Sequence, residues 1–278
     1  MARILAISSQ VVRGHVGLSA IVPALQRLGH DVWALPTIVL SNHPGHPCAA
    51  GTRIDPAVHK QILDALERNG WLGEIDAVMT GYLPSPDHVR AAADIVRRLK
   101  GSQEIPFLCD PVLGDHPKGL YLDPDAAVAL RDDLIGLADV ATPNRFELGW
   151  LGGGDPQTVT DVQRAAKGLP VATTIVTSAV QNDGRMSTLM VTPEGDYVCD
   201  VGWRPDVPHG TGDLFAALLL GHLVSGATPL MALARAAAGV DVAIAASAGH
   251  TELELVASLD SCMQVSPLSV RRLPRGAN

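Results

Sequence analysis

Short apolar runs alternate with longer amphipathic segments along the chain, and this alternation predicts strands separated by helices. The runs predict strands at 3–9, 31–38, 76–80, 106–109, 139–141 and 171–177. The segments between them predict helices at 18–28, 56–69 and 85–100. Strand-helix-strand order at this spacing predicts an α/β fold of three layers, α/β/α, around a mainly parallel central sheet.

The second half of the chain departs from this alternation. Segments 185–191 and 197–201 flank the turn cluster Thr-Pro-Glu-Gly-Asp at 192–196, which predicts an antiparallel hairpin at one edge of the sheet. Two helices rich in Ala and Leu are expected at 211–223 and 229–248. Residues 266–278, with Arg271, Arg272 and Arg275, predict a loose C-terminal tail. No linker divides the chain, so a single domain over residues 1–278 is expected.

Composition and charge exclude several classes of partner. The chain has 21 Lys and Arg against 29 Asp and Glu, a net charge of −8, and 4% aromatic residues, which argues against nucleic-acid binding. The apolar segment 236–248 contains Asp241, which favours a buried helix over a membrane span. Four separated cysteines without a Cys-x-x-Cys pair favour reduced thiols in the cytoplasm over a zinc site or disulfide framework.

One glycine-rich segment, Pro-His-Gly-Thr-Gly-Asp-Leu-Phe-Ala at 208–216, opens directly into an apolar helix. The backbone N–H groups of Gly210, Thr211 and Gly212 would lack intrahelical partners, and together with the helix dipole they would form an anion site. Asp213 beside that site is a candidate general base for an attacking hydroxyl. The same residues also fit an ordinary N-terminal helix cap, and the segment alone leaves both interpretations open.

Further segments give these residues a family context. Residues 210–213 resemble the Gly-(Ala/Thr/Val)-Gly-Asp signature of the ribokinase-like kinases. Five other segments resemble the pyridoxal kinase branch in the same order: 4–17, Leu-Ser-Asn-His at 40–43, Thr-Gly-Tyr at 80–82, Cys-Asp-Pro-Val-Leu-Gly-Asp at 109–115, and Thr-Pro-Asn-Arg-Phe-Glu-Leu at 142–148. The resemblance implies a ribokinase-like fold, a homodimer, and phosphoryl transfer from ATP to the 5′-hydroxymethyl group of pyridoxal, pyridoxine or pyridoxamine.

The resemblance also implies a role for polar residues that follow the predicted strands. Asp110 and Glu147 would bind Mg²⁺, directly or through water, and a monovalent cation such as K⁺ is also implied. The residues implied for ATP binding are Asp110, Asp115, Thr142, Asn144, Glu147, Thr177 and Ser178. Simpler interpretations stay open: a turn residue for Asp110, a solvated carboxylate in a first helical turn for Glu147, and strand-end turns for Thr177 and Ser178.

The acceptor pocket implied by the resemblance contains Ser9, His43, Tyr82 and Asp213. Tyr82 could pack on a pyridine ring, or could simply be a half-buried aromatic residue at a strand end. His43 and His46 are three residues apart, but a metal site is disfavoured because no third ligand is within reach.

The loop after His43 departs from the family pattern, with Pro44 in place of Thr, His46 in place of Tyr and Ala49 in place of Trp. An alternative is therefore a related kinase that acts on hydroxymethylpyrimidine or another small heteroaromatic alcohol. A non-catalytic vitamin or nucleotide binder is disfavoured because Asp213 is present.

Overall fold

Strands and helices alternate in a computed structural model that describes residues 1–274. The strands are β1 (Arg3–Val11), β2 (Asp31–Leu40), β3 (Gly51–Arg53), β4 (Ala77–Thr80), β5 (Phe107–Cys109), β6 (Gly114–Asp115), β7 (Gly119–Leu120), β8 (Val140–Ala141), β9 (Thr173–Asn182), β10 (Arg185–Thr192), β11 (Gly195–Gly202) and β12 (Arg271–Arg272). The helices are α1 (Leu18–Arg27), α2 (Pro56–Arg68), α3 (Pro86–Lys100), α4 (Pro124–Ala129), α5 (Arg145–Gly152), α6 (Val159–Lys167), α7 (Thr211–Val224), α8 (Pro229–Ala246) and α9 (Leu255–Gln264).

Ten of these strands form one sheet in the order β12-β11-β10-β9-β8-β5-β4-β1-β2-β3. The six strands from β9 to β2 pair in parallel, whereas β10, β11 and β12 extend one edge and β3 the other in antiparallel pairing. The predicted sheet and its edge hairpin are therefore confirmed. Because parallel strands end at the same edge of the sheet, the loops that follow β1, β4, β5 and β8 meet there.

The central strands bury side chains on both faces, as their continuous apolar runs require. In β1, Leu5 and Ile7 belong to one core, whereas Ile4 and Ala6 belong to the other. The first core contains residues of α2 to α6, and the second contains residues of α1, α7, α8 and α9. The three-layer α/β/α prediction is confirmed.

Helix α8 is the one helix within residues 1–274 that is long and apolar enough to cross a membrane. Half of it is buried, and it packs between α7 and α9. The carboxylate of Asp241 pairs with the guanidinium of Arg204. These contacts agree with the core helix predicted from the sequence.

The predicted loose tail is wrong for Arg271 and Arg272. They form β12, with Arg271 opposite Val198 and Arg272 opposite Tyr197 of β11. The guanidinium of Arg271 also lies 3.2 Å from the carboxylate of Asp200. This segment has no apolar pattern, and it is held in place by backbone pairing and this ion pair. The predicted tail from Arg275 onward lies outside the described residues.

Candidate active site

The glycine-rich turn before α7 leaves its first N–H groups open. Gly210 adopts the left-handed region at φ 97°, and a Cβ there would overlap the carbonyl oxygen of His15, so only glycine fits. The first intrahelical bond joins the N–H of Leu214 to the carbonyl of Gly210, at 2.9 Å. Among the described residues, no side chain caps this helix. A side-chain cap is therefore wrong for this helix, and its first N–H groups have no side-chain partner among the described residues, as an anion site would require.

Asp213 lies in the first turn of α7, against the loop that follows β1. The N–H of Gly17 donates to its carboxylate, and a Cβ on Gly17 would overlap the hydroxyl oxygen of Ser9. Ser9 and Asp213 therefore lie on either side of Gly17. Desolvation raises the pKa of Asp213 to about 6, against the opposing effect of the Gly17 hydrogen bond. A carboxylate with this pKa is ionised at neutral pH and still basic enough to accept a proton.

Asp110 is a second buried acid, directly after β5. The hydroxyl of Thr142 donates to its Oδ1 at 2.7 Å. Burial, and then repulsion by Asp213, raise the pKa of Asp110 to about 7, although the Thr142 bond opposes the rise. Two acids that repel each other at the end of a sheet form a place where a cation would be stabilised.

Glu147 is buried in the first turn of α5 and accepts three backbone hydrogen bonds. Its Oε1 accepts the N–H of Leu113 at 2.9 Å and that of Gly114 at 3.4 Å, and its Oε2 accepts the N–H of Asn144 at 2.8 Å. Burial, followed by repulsion from Asp110, raises its pKa well above the usual range. The alternative of a solvated surface carboxylate is therefore wrong.

Asn144 completes the attachment of this loop to α5. Its Oδ1 accepts the N–H of Glu147 at 3.0 Å, which makes a reciprocal capping box, and its Nδ2 donates to the carbonyl of Gly114 at 2.8 Å. Strands β6 and β7 form a small hairpin there, with Asp115 on it and Lys118 in its turn. The Oδ1 of Asp115 is buried without a hydrogen-bond partner among the described residues. The hairpin is thus a fixed flap with an oxygen available for a ligand.

Thr177 and Ser178 lie beside Asn144. The N–H of Thr177 donates to the carbonyl of Pro143 at 2.9 Å, and Thr177 bridges to Asn144 in parallel register. Ser178 is exposed and adopts the left-handed region at φ 47°. It borders a polar recess that Arg145 also lines. The predicted nucleotide residues therefore occupy one continuous edge of the sheet.

The carboxylates at this edge suit Mg²⁺ only together with ligands from outside the protein. Within residues 1–274, no three His, Cys, Asp or Glu side chains cluster as a complete metal site. Mg²⁺ at kinase sites instead takes one or two carboxylates together with substrate phosphates and water. Asp110 fits this chemistry because Thr142 donates to its Oδ1 and no described residue donates to its other oxygen. Both oxygens of Glu147, in contrast, already accept backbone N–H groups. Glu147 would therefore act through water.

Tyr82 is held by its backbone on the other side of Asp213. Its N–H donates to the hydroxyl of Ser8 at 3.1 Å, and its carbonyl accepts from Thr37 at 2.8 Å. The ring is half-buried. The ring packs partly against the core that contains Leu5 and Ile7, so its contact with a planar ligand stays a prediction.

His43 contacts a residue that the sequence analysis missed. Its ring stacks on that of His209 with centroids 3.8 Å apart and an interplanar angle of 22°. Burial, then His209 and Lys118, lower the pKa of His43 to about 4, so it is neutral at pH 7. His209 directly precedes Gly210, and this position was the one signal in the sequence. The loop that carries His43 thus reaches the glycine-rich turn at 208–212, which we call the anion turn.

The structure therefore brings the predicted residues to one place in two groups. Asp110, Thr142, Asn144 and Glu147 lie toward β8, with Thr177 and Ser178 beyond them. Ser9 and Tyr82 lie at β1 and β4, whereas His43 lies near Asp115 and Lys118 of the small hairpin, which both affect its pKa. Asp213 contacts both groups, since it accepts the N–H of Gly17 after β1 and repels Asp110 after β5. A nucleotide phosphate and a small acceptor could thus meet at Asp213.

Comparisons with known proteins agree with this arrangement. A model of the phosphomethylpyrimidine kinase family matches residues 30–255. The pyridoxal kinase PdxY of Deinococcus radiodurans is 36% identical over 270 residues, which cover 92% of this chain and 91% of the relative. The chain belongs to the pyridoxal kinase family. PdxY of Rubrobacter xylanophilus is also 36% identical, over 268 residues that cover 93% of this chain and 92% of that protein.

A solved structure supports the same family and the fold. The pyridoxal kinase of Leishmania donovani, in complex with ADP and pyridoxamine, matches with a TM-score of 0.92 and 29% identity, and the match covers 99% of this chain and all of that one (100%). The family resemblance inferred from the six segments and the ribokinase-like fold it implied are confirmed.

Proposed function

We propose that this pyridoxal kinase family member transfers the γ-phosphoryl group of ATP to the 5′-hydroxymethyl group of pyridoxal, and of pyridoxine and pyridoxamine. The observation that carries this proposal is the position of Asp213. A desolvated carboxylate at the start of a helix without a side-chain cap, between two groups of ligand-binding side chains, suits transfer of a phosphoryl group to a hydroxyl. The identity of the acceptor is inferred from the relatives, which are named as pyridoxal kinases.

Asp213 acts as the general base. Its carboxylate takes the proton of the acceptor hydroxyl while that oxygen forms a bond to the γ-phosphorus. The bond between the γ-phosphorus and the oxygen that bridges to the β-phosphate breaks, and ADP leaves. The N–H groups at Gly210, Thr211 and Gly212 stabilise charge on the transferring group, and the absence of a side-chain cap among the described residues supports this role.

The nucleotide side consists of Asp110, Asp115, Thr142, Asn144, Glu147, Thr177 and Ser178. Asp110 holds Mg²⁺, with Thr142 fixing its orientation, and Glu147 acts through water while it fixes the flap. Mg²⁺, when bound, neutralises phosphate charge. A monovalent cation such as K⁺ would contact Thr142 and Asn144, whose side chains carry neutral oxygens.

The acceptor side consists of Ser9, His43 and Tyr82. In neutral His43, Nδ1 accepts the N–H of Gly45, so Nε2 carries the proton and can donate to a ring substituent of the vitamin. Tyr82 packs against the pyridine ring, and the Ser9 hydroxyl lies against Gly17, whose N–H donates to Asp213. We place the protein in the cytoplasm, where its described cysteines stay free as observed, and as a homodimer, as its family suggests.

A second candidate acceptor is hydroxymethylpyrimidine. The departures at Pro44, His46 and Ala49 change the loop that faces the ring, and the matching family model carries the phosphomethylpyrimidine kinase description. The transfer chemistry at Asp213 would be the same for either acceptor.

The test is ADP release by purified protein with ATP and Mg²⁺, with pyridoxal, pyridoxine, pyridoxamine and hydroxymethylpyrimidine offered separately. We expect turnover with pyridoxal that disappears in Asp213→Ala. Turnover with the pyrimidine alone would establish the second candidate. Absence of turnover with all four acceptors would overturn the proposed function.

A further inference from the structure

Glu252 joins two loops of the acceptor side from a distant part of the chain. It lies between α8 and α9, and its Oε1 lies 2.9 Å from Nη1 of Arg13 and 2.8 Å from Nε2 of His46. Its side chain is 17% exposed. A Cβ on Gly14 would come within 2.5 Å of its Oε2, so a larger residue at Gly14 would displace the carboxylate. The carboxylate is therefore enclosed by both loops.

The same segment makes a second contact with the loop after β1. The carbonyl of Leu253 lies 2.8 Å from Nδ1 of His15. The carbonyl of His15 in turn packs against Gly210 of the anion turn. Residues 252–253 thus support the loop that positions this turn, as well as the loop that carries His46.

The loop at 41–50 connects this contact with the site. Inside it, the N–H of Gly45 donates to Nδ1 of His43 at 3.0 Å, and the N–H of His46 donates to the carbonyl of His43 at 3.2 Å. The ring of His43 then stacks on His209. The positions of His46 and His43 are therefore coupled through a tight turn of four residues, so a displacement of His46 would also displace His43.

The chemistry of the loop makes the partner of His46 important. Pro44, Pro47, Ala49 and Ala50 carry no side-chain hydrogen-bonding group, and most of the loop is exposed. Among the described residues, the side chain of His46 makes its one polar contact with Glu252. The loop thus has few attachments to the rest of the protein besides the ring stack and this contact.

We propose that Glu252 is a positioning residue of the acceptor site: through His46 it holds the 41–50 loop, and with it His43, in place over the acceptor. This inference rests on the proposed function for its substrate. We expect the larger effect on the acceptor, because the hydrogen bonds of the Glu252 and His46 side chains go to Arg13 and to each other, and none goes to a nucleotide residue among the described residues.

The test compares Glu252→Ala and Glu252→Gln with the control Glu254→Ala. Glu254 lies two residues further along and pairs with His250 instead of the loops. Loss of a charge-assisted hydrogen bond predicts a rise in the KM for pyridoxal of about tenfold in Glu252→Ala. Glu252→Gln retains an acceptor oxygen and should recover much of this loss. The KM for ATP should rise clearly less than the KM for pyridoxal, and the thermal unfolding midpoint should stay close to wild type.

Coupling through His46 is tested by the double variant. If Glu252 acts through His46, then His46→Ala combined with Glu252→Ala raises the KM for pyridoxal no further than the larger single effect. Independent, multiplicative effects would overturn the proposal. Equal rises in both KM values with a lower unfolding midpoint would also overturn it, since they indicate a general structural role.

Hydrogen exchange of the free protein tests the inference separately from the reaction. Amides within 41–50 should exchange faster in Glu252→Ala than in wild type, whereas Glu254→Ala should leave them unchanged. Unchanged exchange in Glu252→Ala would overturn the proposal. If wild-type protein does not phosphorylate pyridoxal, the proposed function fails, and the exchange result still decides whether Glu252 positions the loop.

Discussion

Replacing the general base with its amide should make the protein more stable while it abolishes activity. In Asp213→Asn the side chain keeps its shape and still offers an oxygen to the N–H of Gly17. It removes a negative charge that is desolvated in the folded protein and that repels Asp110. Stability and catalysis therefore make opposite demands on this position.

The magnitude follows from the pKa of Asp213, which rises from 3.8 to about 6 on folding. At 1.36 kcal/mol per pKa unit, full desolvation would cost about 3 kcal/mol at pH 8. Asp213 retains partial contact with solvent, so we expect Asp213→Asn to gain about 2 kcal/mol in the free energy of unfolding at pH 8.

The sign of the pH dependence is fixed by the raised pKa. Above pH 6 the carboxylate is ionised in both states and its cost to the folded state is complete. As pH falls from 6 toward 3.8, the folded state binds the proton first, so the cost is progressively lost. The advantage of Asp213→Asn should therefore fall to about half at pH 5. The wild-type kcat should decline over the same range, below about pH 6, because the base becomes protonated.

Urea unfolding at pH 8 and pH 5, without nucleotide or metal, measures the stability difference, and ADP release measures activity. Activity should drop by roughly 10²–10⁴-fold, as expected on removal of a general base. Glu104→Gln, an exposed acid before β5, is the control and should change neither quantity. Equal or lower stability of Asp213→Asn at pH 8, or a gain independent of pH, would refute the reasoning.

Three further outcomes are expected. Gly212→Ala should stabilise α7 by about 0.5–1 kcal/mol in urea unfolding, because alanine favours the helix and no described atom outside the helix and the neighbouring residues lies within 4 Å of the new methyl group. It should also lower kcat at least about tenfold, because a bound phosphate would meet this methyl group; unchanged kcat would contradict this. Tyr82→Ala should raise the KM for pyridoxal about tenfold whereas Tyr82→Phe should change it little, if ring packing is the role of Tyr82; equal effects would contradict it. A thiol reagent should label one cysteine per chain rapidly, the exposed Cys48, since burial raises the pKa of Cys109 and Cys199 to about 12; pyridoxal should slow this labelling, and Cys48→Ser should remove it.

The sequence predicted those elements that can be recognised from the apolar pattern of their own segment. Strands β1 and β4 are continuous apolar runs because the sheet buries both of their faces. Helix α5 was missed because it is short and contains Gly149 and Gly152, and what defines its start is the Asn144–Glu147 capping box. The Asn-x-x-Glu spacing was present in the sequence, but Glu147 was interpreted as a ligand or as a solvated carboxylate of a first helical turn, and not as part of a capping box.

The site was predictable to a similar extent. Glycines before an apolar helix make Gly210 and Asp213 candidates for an anion site, and the family resemblance favours this interpretation over an ordinary helix cap. The stack of His43 on His209 and the contacts of Glu252 join segments that are distant in sequence. No local pattern encodes such contacts, and for this reason they became visible only in the folded chain.

The central claim is that the altered 41–50 loop still selects a pyridoxal-type acceptor for transfer at Asp213. An internal competition tests it most directly: equimolar pyridoxal and hydroxymethylpyrimidine in one reaction with ATP and Mg²⁺, with both phosphorylated products quantified by mass. The product ratio gives the ratio of kcat/KM values without reference to KM. We predict mostly pyridoxal 5′-phosphate, and none in a parallel reaction with Asp213→Ala. A predominance of the pyrimidine phosphate would contradict the account.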